Sequence, residues 1–143
     1  MTDIMDLEFL KRLATAITTE FGVNSEVVVH DLNVEDTEHT IVAIENGHVS
    51  QRTAGDGASR VVLEALRKKN DPTLTGELGY LTKTRDGRIL KSSTVYVRNE
   101  AGVAEGVLSI NYDITEFLMA ERAIDSILVD QALQRALFNQ CPG

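Results

Sequence analysis

The chain has 143 residues, 43% of them hydrophobic and 25% charged, which suits one globular domain with a real core. A formal net charge of −8 argues against a grip on nucleic acid or an anionic membrane, because phosphate binding needs a basic footprint. The single cysteine, Cys141, excludes an intrachain disulfide framework or a Cys/His zinc cluster; no transmembrane run or signal-peptide pattern is present, so the expected compartment is the cytoplasm.

Leu7, Leu10, Ala14, Ile17 and Phe21 recur at three- and four-residue steps and predict an amphipathic helix over 6–21. Asp3 or Asp6 can cap its start, and Gly22 suits the left-handed position past its end. Val27, Val28 and Val29 in succession predict a strand over 26–32, buried on both faces. An acidic loop, 33–39, leads to a second strand over 40–45. Asn46-Gly47 then predicts a tight turn into His48-Val49-Ser50. After a loop over 53–57, Val61, Val62, Ala65 and Leu66 mark a helix over 58–69, capped by Asp56 or Ser59 and stopped by Asp71-Pro72.

The stretch from Leu78 to Thr115 organises the chain. Asp86-Gly87 and the Asn99–Gly102 turn divide it into three runs rich in β-branched and aromatic residues, an antiparallel meander of strands over 79–85, 89–98 and 105–113. A long helix over 114–138 follows, with Asp113 and Glu116 spaced as a variant capping box. Its apolar side runs through Phe117, Ala120, Ile124, Ile127 and Leu128, then drifts to Ala132, Leu133, Ala136 and Leu137. So small a domain cannot hide this helix along its whole length, which predicts a homodimer or a connection to another domain. The fold class is α+β: a five-stranded antiparallel sheet with helices on one side and long N- and C-terminal helices. That element order is the order of a PAS domain.

Four pieces carry a closer resemblance: Glu26-Val-Val-Val-His-Asp-Leu32, Ile41-Val-Ala-Ile-Glu-Asn-Gly-His-Val-Ser50, Leu90-Lys-Ser-Ser-Thr94 and Gly106-Val-Leu-Ser-Ile-Asn-Tyr-Asp-Ile-Thr115. Over about 22–118 the chain resembles the YheO-like PAS domain of bacterial transcriptional regulators. The resemblance implies a sensory module followed by a C-terminal helix-turn-helix that binds operator DNA. This chain stops at Gly143, where that domain would begin, so DNA is expected as a partner only through a domain absent from it. Residues 1–118 are read as the sensor with its N-terminal helix, and 114–143 as a signalling and dimerisation helix with a tail.

Strand alternation places Lys91, Ser93, Val95 and Val97 on one face of their strand, and Val107, Ser109, Asn111 and Asp113 on one face of the next. A face with Ser93, Ser109 and Asn111 among valines resembles a pocket wall, apolar with a few convergent hydrogen-bonding groups. Local backbone bonding would account for the same residues. Lys91 could hold a carboxylate as a point charge, or simply sit in solvent. His30 and Tyr80 are further candidates to reach a ligand, against ordinary packing roles. Asn111 carries most weight, since its amide offers both donor and acceptor to a ligand with a carboxylate and an amine.

No catalytic constellation is assembled: His30 and Asp31 point to opposite faces, and no nucleophile stands beside His30. The spacing of His30, His39 and His48 matches no metal site, and a cysteine-adduct flavin site is opposed by the position of Cys141; neither metal nor cofactor is expected. Gly55-Asp56-Gly57 is no phosphate loop. The reading is a cytoplasmic, homodimeric sensor of a small polar metabolite that signals through its C-terminal helix, with a ligand-free dimerisation module as the alternative.

Overall fold

A computed structural model describes residues 6–35, 39–51, 60–71, 73, 75–128 and 131–140. The elements are α1 (Leu7–Phe21), β1 (Ser25–Asp31), β2 (Ile41–Glu45), α2 (Arg60–Arg67), β3 (Gly76–Lys83), β4 (Ile89–Arg98), β5 (Ala104–Asp113), α3 (Thr115–Ile127) and α4 (Gln131–Gln140). The strands form one antiparallel five-stranded sheet in the order β2-β1-β5-β4-β3. The expected strands and helices of the sensor are therefore present within a few residues of their predicted bounds. Asn46, at φ 57, opens the turn expected after β2, and His48–Ser50 lies within that turn. The candidate caps Asp56 and Ser59, the loop over 53–57 and Pro72 lie outside the described residues.

Asp6 caps α1, accepting from Phe9 N–H at 2.9 Å, and Gly22 at φ 85 ends it. The buried stripe of α1 is Leu10, Ala14 and Thr18, while Phe21 is exposed. Leu10 and Ala14 pack with Val27 and Val29 of β1 and Leu108 of β5. Val62 and Ala65 of α2 pack instead with Leu32, Ala104 and Val107. Val107 and Leu108 are consecutive strand residues and point to opposite faces. So α1 covers one face of the sheet, here the outer, and α2 the other, the inner; the helices do not share one side as expected. Because both faces of β1 are covered, Val27, Val28 and Val29 are all buried.

Two irregularities set which residues face inward. At the start of β3, Gly76 has φ +128, and a Cβ there would lie 1.9 Å from the Thr94 carbonyl oxygen, so only glycine lets β3 approach β4. The β3–β4 register then slips between Glu77 and Tyr80. In the β4–β5 hairpin, Val97 opposes Gly106 but Arg98 opposes Ala104, leaving Glu105 as the extra residue of a bulge.

The chain divides into two compact units, Met1–Asp113 and Ile114–Gly143. In the second, the expected continuous helix over 114–138 is two helices, α3 ending at Ile127 and α4 starting at Gln131. The N-cap of α3 falls on Ile114, whose side chain makes no cap bond; Asp113, expected there, accepts from Arg88 Nη1 at 3.2 Å. Phe117, Met119, Ile124 and Ile127 of α3 are exposed.

Candidate ligand site on the inner face of the sheet

Directly opposed residues of an antiparallel pair share a face, so the register arranges the inner face of β1, β5 and β4 in transverse rows. Glu26, Asn111 and Ser92 form one row, Val28, Ser109 and Thr94 the next, and His30, Val107 and Tyr96 a third.

The first row is a closed chain of hydrogen bonds. Glu26, fully buried among valines, accepts at Oε2 from Ser50 N–H (3.0 Å) and Ser50 Oγ (2.6 Å). At Oε1 it accepts from Asn111 Nδ2 at 2.7 Å. Asn111 Oδ1 accepts from Ser92 Oγ at 2.7 Å. Ser92 has spent its only proton there, so Thr82 Oγ1, 3.0 Å away, donates to Ser92. Ser50 is held in place by the 46–50 turn, which Asn46 Nδ2 ties to Ser25 O (2.9 Å) and His48 Nε2–H ties to Val23 O (2.8 Å).

The second row links the Tyr80 hydroxyl to Thr94 Oγ1 at 2.6 Å, with Ser109 Oγ 3.4 Å beyond. In the third, buried His30 meets Thr40 Oγ1 through Nδ1 at 2.8 Å. Burial pushes the Tyr96 phenol above its ordinary pKa, with the charge of Glu64 adding to the shift. At the rim, Arg88 bonds Asp86 and Asp113; burial opposes its charge, but the two carboxylates outweigh that and raise its pKa.

Of the six residues proposed from sequence, Ser109, Asn111, His30 and Tyr80 share the inner face. Lys91 and Ser93 do not. Lys91 opposes Tyr112 and Ser93 opposes Ile110, on the face that α1 covers. Ser93 Oγ accepts from Gly79 N–H at 2.9 Å. The cause is the bulge at Glu105. An unbulged hairpin closed by Arg98 opposite Ala104 would set Ser93 against Ser109 and Lys91 against Asn111; one extra residue moves every β4 partner by one and reverses the face. Ser92, Thr94, Thr82, Glu26 and Ser50, which are not among those six, take their places. Glu26 had a visible signal: a charged residue heading a run of valines read as buried on both faces.

The description of the YheO-like PAS domain matches residues 1–129. This chain belongs to that family. The transcriptional regulator DauR of Pseudomonas aeruginosa is 31% identical over 122 residues, 85% of this chain and 54% of DauR. The uncharacterized protein YheO of Escherichia coli K12 is 25% identical over 113 residues, 79% of this chain and 46% of YheO. The PAS domain of the fruit-fly ELK potassium channel is 18% identical, covers 72% of this chain and 97% of that one, and has a TM-score of 0.45. The YheO-like PAS domain described here thus spans about half the length of the relatives it matches. It is a PAS domain related to proteins that include a transcriptional regulator. Among its described residues no helix is long and apolar enough to cross a membrane, which says nothing of a β-barrel. None of its described His, Cys, Asp and Glu residues cluster as a metal site.

Proposed function

We propose that this domain is the cytoplasmic sensory part of a DNA-binding transcriptional regulator, that it binds a small polar metabolite against the inner face of its sheet, and that it signals through α3 and α4. The observation that carries the reading is the density of polar side chains on a buried sheet face: Glu26, Ser92 and Thr94 are each at most 1% exposed. A core built only for stability is served better by apolar side chains, because every buried polar group must be matched. A ligand site needs such groups, preset in direction. A metabolite that binds one arrangement of the domain more tightly than another shifts the equilibrium between them, and a helix-turn-helix elsewhere in the full protein would read that shift. Ser109, Tyr80 and His30 join the polar rows, while Asn111 is engaged by both Glu26 and Ser92 and acts as their bridge.

Native mass spectrometry of freshly purified protein tests this. The expected result is a non-covalent adduct of small-molecule mass, lost on mild unfolding and refolding. Bare protein alone, with no melting shift across a broad metabolite set, would refute it.

The second reading, a ligand-free dimerisation module, is favoured by the exposed Phe117, Met119, Ile124 and Ile127 of α3. A homodimer is compatible with both readings. Replacing Ile124 and Ile127 by Glu should yield a monomer in sedimentation, since charges buried without partners are strongly disfavoured. A wild type already monomeric at micromolar concentration would contradict the dimer.

A further inference from the structure

The outer face of the sheet is only half covered. Thr15 Oγ1 of α1 meets Glu45 Oε1 of β2 at 3.1 Å, so one flank of the helix lies over the β2 edge. A turn of about 100° per residue puts Phe9 and Glu20 on the other flank, across the buried stripe of Leu10, Ala14 and Thr18. The sheet order places β4 and β3 beyond that flank. Their outer side chains are uncovered there. Val95, opposite Leu108, is 44% exposed, and Leu81, opposite Lys91, is 68% exposed. Phe9 on the helix flank is 50% exposed. The result is a step: a raised helix beside a recessed apolar strip.

The two halves of this step match in level. Residues 22–24 reverse the chain between α1 and β1, so the helix runs back along the strand in the opposite sense. Thr15 marks the level of Val27, the residue opposite Glu45. Toward the Asp31 end of β1, Phe9 lies about 9 Å from that level, and Val95, in line with Leu108 and Val29, about 7 Å. Toward the Ser25 end, Glu20 lies about 7 Å from it, and so, at about 7 Å, does Lys91, in line with Tyr112 and Ser25. Glu20 and Lys91 are both exposed and carry opposite charges.

A second copy turned about a two-fold axis parallel to the strands keeps every level and exchanges helix for strip. Each raised helix then enters the recess of the other copy. Phe9 meets Val95, and Glu20 meets Lys91 beside Leu81, each contact made twice. A two-fold across the strands would set helix on helix and hold the apolar strips apart. Two helix-on-strip contacts bury on the order of 1,000 Å², the lower end of specific interfaces.

We propose that this step is a self-association surface on which two copies of the domain interlock, Phe9 of each against Val95 of the other, with Glu20–Lys91 ion pairs at the rim. The contact is independent of any ligand on the inner face. An interface of this size is weak alone, so it acts together with α3 in the dimer considered above.

The test uses the 143-residue chain. In a Cys141→Ser background, Phe9→Cys and Val95→Cys proteins are mixed and mildly oxidised. The expected product is the mixed disulfide dimer. Like-with-like linkage, or none, overturns the proposal. Sedimentation equilibrium then follows charge exchange at the rim, where neither position is buried. Glu20→Lys and Lys91→Glu should each weaken the dimer about fivefold, by setting like charges together twice, and the two combined should restore it. No weakening, weakening that the combination leaves in place, or a wild type monomeric throughout overturns the proposal.

Discussion

Two buried glutamates lie on one sheet face, and their surroundings differ in kind. Glu26 accepts three hydrogen bonds, from the backbone and hydroxyl of Ser50 and from Asn111. Glu105 accepts none. Burial removes about as much water from each, 0% and 2% exposure remaining. The difference lies in what replaces that water. At Glu26 the fold supplies the donors, so the carboxylate joins the 46–50 turn, β1, β5 and β4 into one unit. At Glu105 the bulge adds a charged residue without supplying donors. The first carboxylate is matched within the folded domain, and the second is not.

Substitutions along the face sharpen this contrast. The largest effect is expected at the bridge of the closed row. Asn111→Leu leaves Glu26 Oε1 buried and short of a donor, and should cost about 3 kcal/mol in urea unfolding, since unmatched buried groups that are charged sit at the upper end of such penalties. Retained stability would mean that water or a repacked side chain closes the row. Thr82→Val removes only the last donor, and a loss of about 1 kcal/mol is expected by the same measurement. A larger loss would place Thr82 in some further contact. Lys91→Ala should not change stability beyond about 0.5 kcal/mol, because Lys91 is an exposed residue of the outer face. A larger loss would place Lys91 in a contact that its exposure does not suggest.

The sequence made the sheet legible because its strands are bounded by turn chemistry and β1 by its valines. Each strand's alternation was legible too. The phase between β4 and β5 was not. It turns on one residue at Glu105, and nothing in Ala104-Glu105-Gly106 marks a bulge more strongly than a regular strand. Four candidate residues consequently lie on the inner face, and Lys91 and Ser93 lie on the other. The break between α3 and α4 was hidden for a related reason: the drift of the apolar seam past Leu128 is equally compatible with one bent helix and with two. Gly79, at φ 67, accompanies the slip between Glu77 and Tyr80 and had only its glycine to announce it.

The contrast between the two glutamates is tested most directly by giving both the same substitution. Glu26→Gln and Glu105→Gln, each freed of bound molecules, are unfolded in urea beside the wild type. Glu26→Gln turns an amide N–H₂ toward Asn111 or toward Ser50, donor against donor, and should lose about 2–3 kcal/mol. Glu105→Gln removes a charge that nothing matches and should be as stable as the wild type or more so. Equal losses at the two positions would contradict the account, because they would mean that Glu105 is as firmly partnered in the folded protein as Glu26.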